Sequence, residues 1–146
     1  MCYAHGMSFE IFVPIETVPK SYVSVRRGIA LTDKCRIYHM ECTNFLKRHA
    51  PKIPMDGDLE ISVIFFLKRL PSQKNMWYPN TKPDHDNLTK SLQDCLELAQ
   101  IIQNDSRIVK ATIRKVFVGG RGSRGTLQPG ALVKLKQFEE NDESLK

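Results

Sequence analysis

The chain is poor in cysteine and has no long hydrophobic segment. Its four cysteines are Cys2, Cys35, Cys42 and Cys95. They form no CxxC pair, and no signal peptide is recognised, so we expect no disulfide framework. The longest apolar run, residues 61–67, is interrupted by Ser62 and is far too short to cross a bilayer. We therefore expect a cytoplasmic protein with reduced thiols and no membrane partner.

Acidic residues are fewer than basic ones, with 16 Asp and Glu against 22 Lys and Arg, a formal charge of +6 at pH 7. This excess favours polyanionic partners, above all nucleic acid, although many basic proteins bind none. The hydrophobic content of 41% is ordinary for a globular protein. A length of 146 residues fits one domain with one core, spanning residues 1–146. We expect residues 1–8 and 139–146 to fray.

Hydrophobic periodicity predicts an α+β fold. Strands are predicted at residues 9–13, 59–67, 108–118 and 131–138, with a further extended stretch at 21–31 that turns at Arg26-Arg27-Gly28. Helices are predicted from Thr32 or Asp33 to about Ala50 and from Asp86 or Asn87 to about Gln100. The last two strands should pair as an antiparallel hairpin across the glycine-rich loop 119–125. The whole is a mixed sheet of about four to five strands with two main helices packed on it.

The first helix carries cysteines and histidines at intervals that suggest a zinc site. Cys35, His39, Cys42 and His49 fall on one stripe of this helix. A single stripe cannot surround one ion tetrahedrally, and residues 35–49 span roughly 20 Å. We therefore interpret these side chains as small buried groups of the core.

The segment 82–90 has the residues most suited to catalysis. Asp84 and Asp86 are two apart in backbone predicted to be extended, so both carboxylates can point the same way. Two close carboxylates repel unless a cation lies between them, and Mg²⁺ commonly binds one or two carboxylates plus a substrate phosphate. Lys90 follows Asp86 by one helical turn and could contact that phosphate. The alternative is a simple turn and helix cap, with Lys90 as a solvated partner of Asp86.

A third aspartate, Asp105, precedes the predicted strand at 108–118. The intervening helix is roughly 20 Å long at about 1.5 Å per residue. Asp105 therefore meets Asp84 only if residues 101–105 fold back along the helix, or if a second subunit supplies it. The sequence leaves both open.

These residues resemble the RusA-type Holliday junction resolvases, which are found largely in phages and prophages. The match lies in Pro83-Asp-His-Asp-Asn-Leu-Thr-Lys90, Asp94, and Asn104-Asp105 before a basic strand, and it extends over residues 9–118. The resemblance implies a metal-binding catalytic triad of Asp84, Asp86 and Asp105, with Lys90 as an essential basic neighbour. It also implies Mg²⁺, with Mn²⁺ as a substitute, and a homodimer that nicks opposing strands of a four-way DNA junction in the cytoplasm of its host.

Two features depart from the family pattern. Asn104 stands where the family often has a further aspartate, which bears on metal affinity. Residues 98–102 lack the glycine-containing turn that is usual after the helix, which bears on loop geometry.

DNA contacts are predicted from basic and aromatic side chains around this segment. The basic candidates are Lys20, Arg26, Arg27, Lys68, Arg69, Lys74 and Lys82. Supporting roles are predicted for Asn87, Asp94, Asn104 and Lys115. Trp77 and Tyr78 could stack on an unpaired base at the branch point, but packing of their loop onto the core is the expected outcome. His85, between the two aspartates, is expected to be a surface or DNA-facing side chain.

Two other functions fit the sequence less well. One is a DNA-binding phage protein that keeps the fold without catalysis, although such a protein has no need of carboxylates beside phosphate. The other is a metal-dependent nuclease that acts on flaps or replication forks.

Overall fold

The computed structural model describes residues 7–140. The regular elements are β1 (Ser8–Val13), β2 (Tyr22–Val25), β3 (Gly28–Leu31), α1 (Asp33–Lys47), β4 (Leu59–Leu67), α2 (His85–Leu98), β5 (Ile108–Phe117) and β6 (Gly130–Gln137). Short 3-10 turns occur at Pro71–Gln73 and Asp105–Arg107. Of residues 1–8 and 139–146, which were predicted to fray, 1–6 and 141–146 lie outside the described residues, and Ser8 belongs to β1. No helix within 7–140 is long and apolar enough to cross a membrane.

The predicted α+β fold is confirmed, as a mixed four-stranded sheet in the order β1-β6-β4-β5 with a separate β2-β3 hairpin. β4 runs antiparallel to β6 and parallel to β5. The predicted hairpin between residues 108–118 and 131–138 is therefore wrong, since β4 lies between β5 and β6. β4 is the most buried strand, with Leu59, Ile61 and Phe65 fully buried, and burial on that scale requires a central position. The glycine-rich loop 119–125 thus belongs to a crossover past the end of β4.

Both helices pack on one face of the sheet and form the core with it. The alternate β4 residues from Leu59 to Leu67 face α1 and α2. The predicted apolar stripe of α2 is buried: Leu88, Leu92, Cys95, Leu96 and Ala99. α1 is capped by Thr32, whose hydroxyl accepts a hydrogen bond from the Cys35 backbone N–H at 3.3 Å, and it ends at Lys47, before the predicted Ala50.

The cysteine and histidine stripe of α1 is only partly buried. Cys35 and Cys42 lie in the core, as predicted. His39 is half-buried and shares a hydrogen bond of 3.0 Å with the Ser91 hydroxyl of α2. His49 is exposed, contrary to the prediction, because it lies beyond the end of α1 at Lys47, where its ring centre is 5.0 Å from that of Phe45.

Candidate active site

The two aspartates of segment 82–90 lie at the N-terminus of α2. β4 and β5 are parallel, so their C-terminal ends share one edge of the sheet, and loop 68–83 leads from that edge into α2. Asp84 is the N-cap residue, with extended backbone, and its carbonyl accepts the Leu88 N–H at 3.2 Å. Its carboxylate makes no capping hydrogen bond. The carboxylate of Asp86 accepts the Asn87 N–H at 2.9 Å. Both carboxylates are exposed and available to a ligand.

Asp86 does not have the extended backbone that the sequence predicted. α2 begins at His85, and the Thr89 hydroxyl donates to the His85 carbonyl at 2.7 Å, which stabilises the first turn. Asp86 is therefore helical while Asp84 is not. The two carboxylates nevertheless border one cavity of about 540 Å³. Its lining residues are Asn80, Thr81, Lys82, Asp84, His85, Asp86 and Lys115.

Lys115, near the C-terminal end of β5, connects the sheet to this cavity. Its ammonium donates to the backbone carbonyls of Thr81 at 2.9 Å and Pro83 at 2.8 Å. Burial lowers the pKa of Lys115 from its usual value, and the negative charge of Asp84 opposes that shift. Lys115 thus fixes the backbone immediately before Asp84 and places a cation beside the carboxylates.

Lys90 and Asp94, which follow Asp86 along α2, make different contacts. Lys90 is exposed, and no ion pair among residues 7–140 joins it to Asp86 or Asp94. Asp94 binds Lys20 at 2.7 Å, and this hydrogen bond raises the pKa of Lys20. The Lys20 ammonium, predicted to contact DNA, is therefore already paired with a carboxylate.

Asp105 lies at the opposite end of α2. The Asn104 side chain donates to Glu97, in the last turn of the helix, at 3.3 Å, and accepts from the Ser106 N–H at 2.9 Å. Asp105 follows directly and is exposed. Helix α2 is about 20 Å long, and β5 likewise runs about 23 Å from Ile108 to Lys115 at about 3.3 Å per residue. Within one chain, Asp105 is therefore far from Asp84 and Asp86.

The positions of the potential metal ligands agree with the separation of Asp105 from Asp84 and Asp86. Among residues 7–140, no three His, Cys, Asp or Glu side chains lie close enough together to hold a metal ion. One subunit thus brings together two of the three aspartates named by the resemblance, and residues 101–105 do not fold back along the helix.

A groove of about 650 Å³ borders Asp84 on its other side. Its lining combines an apolar floor and one carboxylate besides Asp84, that of Glu16, with four lysines: Lys20, Lys34, Lys68 and Lys82. Lys68 and Lys82 belong to the predicted DNA contacts and are exposed, as are Lys74 in the same loop and Arg26 and Arg27 in the β2-β3 turn. The cationic rim beside an exposed carboxylate pair suits a phosphodiester backbone.

Arg69 has a different position from the other predicted DNA contacts. Its guanidinium donates to the carbonyls of Gln73 and Met76 and lies 4.0 Å from the centre of the Phe117 ring. These contacts fold loop 68–83 against the end of β5.

The family model described as Endodeoxyribonuclease RusA matches residues 12–124, from β1 into the glycine-rich loop. The chain belongs to the RusA family. The predicted resemblance is thereby confirmed, and membership of the RusA family supports a DNA endonuclease. None of the curated proteins compared with the chain matches it. The RusA match includes Asp84, Asp86, Lys90, Asp105 and Lys115, whose individual roles stay predictions.

The sequence interpretation missed one residue and misplaced another. Trp77 was expected to pack with its loop on the core, but its side chain is 63% exposed. Its ring instead contacts the Arg121 guanidinium, which lies 3.4 Å from the ring centre. Arg121 was not among the predicted residues, although the arginines of the glycine-rich loop could have indicated it.

Proposed function

We propose that the protein is a magnesium-dependent, structure-specific endonuclease that resolves four-way DNA junctions by paired nicks during recombination and repair. The observation that carries this proposal is the pair of exposed carboxylates, Asp84 and Asp86, bordering one cavity with Lys115 in a chain of the RusA family. Exposed carboxylates in a basic protein are unfavourable for DNA binding alone, because they repel phosphate.

The carboxylate pair fits a hard divalent cation. Asp84 makes no capping hydrogen bond, and Asp86 makes one, which leaves oxygen atoms free on both side chains. Asp84 and Asp86 would hold Mg²⁺, or Mn²⁺ in its place, with substrate phosphate completing the ligand set. A cation held by these two residues would make a water molecule more acidic and would offset negative charge on the phosphate.

The protein side chains then orient the scissile phosphodiester. Lys115, which borders the same cavity, and Lys90, one helical turn after Asp86, supply positive charge, and the lysine-lined groove directs the strand towards Asp84. Hydrolysis adds water to phosphorus and releases the 3′ oxygen, giving a 5′ phosphate and a 3′ hydroxyl.

The protein acts as a homodimer in which Asp105 of the partner subunit completes the site. Two features support this arrangement. Asp105 and Asp84 occupy opposite ends of α2, so a two-fold related copy with its helix reversed brings one end beside the other. The elements that flank Asp105 also carry large exposed apolar side chains, with Leu98 58% and Val109 53% exposed. Such residues suit burial against a second copy.

The test is cleavage of synthetic four-way junction, flap and duplex DNA, each with Mg²⁺ or with EDTA. We expect paired nicks in the junction alone, dependent on Mg²⁺. Asp84→Asn should reduce the rate of junction cutting at least about a hundredfold. This loss is larger than is usual for residues that only orient a metal ligand. The variant should still bind the junction. Preferential cutting of flaps would mean that flap DNA, and not the four-way junction, is the substrate. Binding without any cutting by the wild type would favour a non-catalytic DNA-binding protein.

A further inference from the structure

Trp77 is the single tryptophan of the chain, and it is exposed on a loop rather than buried. A side chain of this size is usually well covered in a folded protein. Its ring is contacted on one face by the Arg121 guanidinium at 3.4 Å, a distance that corresponds to stacking. With 63% of the side chain exposed, the other face of the indole is open to a planar ligand.

The surroundings of Trp77 are cationic. A cavity of about 610 Å³ is lined by Arg69, Lys74, Asn75, Met76, Trp77, Gly119, Gly120 and Arg121. It contains three basic side chains and no carboxylate. None of the ion pairs formed within residues 7–140 involves Arg69, Lys74 or Arg121. An aromatic face beside unpaired cations fits a base and its phosphate.

The two loops that carry this pair are held in place by hydrogen bonds. Arg69 donates to the carbonyl of Met76, directly before Trp77, and the Met76 N–H donates to the Gln73 carbonyl at 3.0 Å. In the other loop, the Gly120 N–H donates to the Phe117 carbonyl at 3.0 Å. The stacked pair is therefore supported from both sides, which lowers the entropic cost of binding a ligand.

The pair also lies on the same edge of the sheet as the carboxylates. Loop 68–83 leaves β4 after Leu67 and the glycine-rich loop follows β5 after Phe117, and these two residues are register partners. Asp84 begins α2 at the end of the first loop, and Lys115 precedes Phe117 in β5.

We propose that Trp77, backed by Arg121, is a stacking platform for a nucleobase whose face is exposed at the branch point of the DNA. The inference rests on the proposed function and adds a means of recognising the substrate. In continuous duplex every base face is covered by its neighbours, whereas a branch interrupts the stack. A platform of this kind distinguishes branched from continuous DNA without reading sequence.

Trp77 fluorescence tests the platform directly, because no other tryptophan contributes. The experiment uses the full chain with Asp84→Asn, so that the junction stays uncut, and compares a four-way junction with a covalently closed circular duplex, which has no ends. We expect quenching by the junction and little change with the circle at equal occupancy. If a gel shift shows junction binding while the emission stays constant, the platform is wrong, although the nuclease proposal survives. Equal quenching by both DNAs also overturns it.

Variants separate stacking from charge. Trp77→Ala should weaken junction binding about 5- to 150-fold, the range for loss of one base–aromatic stack, and leave affinity for the circle unchanged. Trp77→Phe should show a smaller loss. Arg121→Lys keeps the charge but not the planar stack, so it should behave more like Arg121→Gln than like wild type.

Leu127→Ala is the matched control for these variants. Leu127 is 76% exposed and lies beside Gly119 of the glycine-rich loop, but it does not itself line the cavity around Trp77. It should bind the junction as the wild type does. A loss equal to that of Trp77→Ala would mean that the loops are merely disturbed, and would overturn the platform.

Discussion

The two ends of helix α2 carry aspartates in contrasting surroundings. At the N-terminal end, Asp84 and Asp86 border a cavity with Lys115, next to a groove lined by lysines. At the C-terminal end, Asp105 is exposed beside Asn104, which is bound to Glu97. At the first end, two carboxylates and Lys115 share one cavity. At the second end, Asp105 is close in sequence to Arg107, whose guanidinium is already paired with Asp56 at 2.7 Å.

This difference bears on how the proposed triad of Asp84, Asp86 and Asp105 can work. α2 is packed along its length by Leu88, Leu92 and Leu96, all fully buried, so it separates its ends by a fixed distance. A rigid spacer of about 20 Å cannot bring Asp105 to Asp84 in one subunit. It can do so between two subunits related by a two-fold axis, and each of the two sites then depends on both chains.

Apart from the two aspartates, Lys115 is the residue at the N-terminal end of α2 whose substitution should slow DNA cleavage most. Lys115→Met keeps the aliphatic stem but leaves the Thr81 and Pro83 carbonyls without their donor. We expect kcat for junction cutting to fall by about 10- to 100-fold with little change in KM, as for other residues that orient a metal ligand. Lys115→Arg should recover part of the loss. The measurement is single-turnover and steady-state cleavage of a labelled junction.

Lys110 provides the matched control at the other end of the same strand. Its ammonium is exposed and lies 3.8 Å from the Glu60 carboxylate, which also pairs with Lys136 at 3.7 Å. Lys110→Met should alter kcat by less than about threefold, since Glu60 keeps a cationic partner and Lys110 makes no contact with residues 81–84. If both variants lose activity equally, the position of Lys115 beside Asp84 has no special part in the reaction.

Substitution of Lys20 together with its partner Asp94 in α2 should have a smaller effect, and on DNA binding rather than on cleavage. Because Asp94 already neutralises this ammonium at 2.7 Å, the charge-neutral exchange Lys20→Gln/Asp94→Asn should leave the salt dependence of junction binding nearly unchanged. Arg26→Gln, in the exposed β2-β3 turn, should reduce the slope of log affinity against log salt by about one if it contacts a phosphate. An equal reduction by the double variant would show that Lys20 contacts DNA despite its partner.

Much of the local structure could be predicted from the sequence because it depends on near neighbours. The bounds of β4, the apolar stripe of α2 and the cap of α1 at Thr32 follow from periodicity and capping chemistry. The pairing of β5 with β6 was predicted wrongly because adjacency in sequence favours a hairpin. β4 lies between β5 and β6 because it is the strand with the most apolar residues on both faces, and this property is not visible from the order of strands in the sequence.

The candidate site was predictable in composition but not in geometry. Segment 82–90 indicated Asp84, Asp86 and Lys90 by residue type and spacing alone. The contact between Trp77 and Arg121 could not be predicted, because the two residues are more than forty positions apart in the chain. The separation of Asp105 from Asp84 depends on the straight course of α2 and on the bond between Asn104 and Glu97.

Subunit mixing tests the shared site most directly. Asp84→Asn and Asp105→Asn, each inactive alone, are mixed under conditions that allow exchange of subunits, and nicking of a labelled junction is measured. In a mixed dimer, one site then receives both substitutions and the other receives neither. We predict that activity returns to about a quarter of the wild-type number of sites, since half of randomly formed dimers are mixed and each has one intact site. A mixture as inactive as its components would contradict a site built from Asp84 of one chain and Asp105 of the partner subunit.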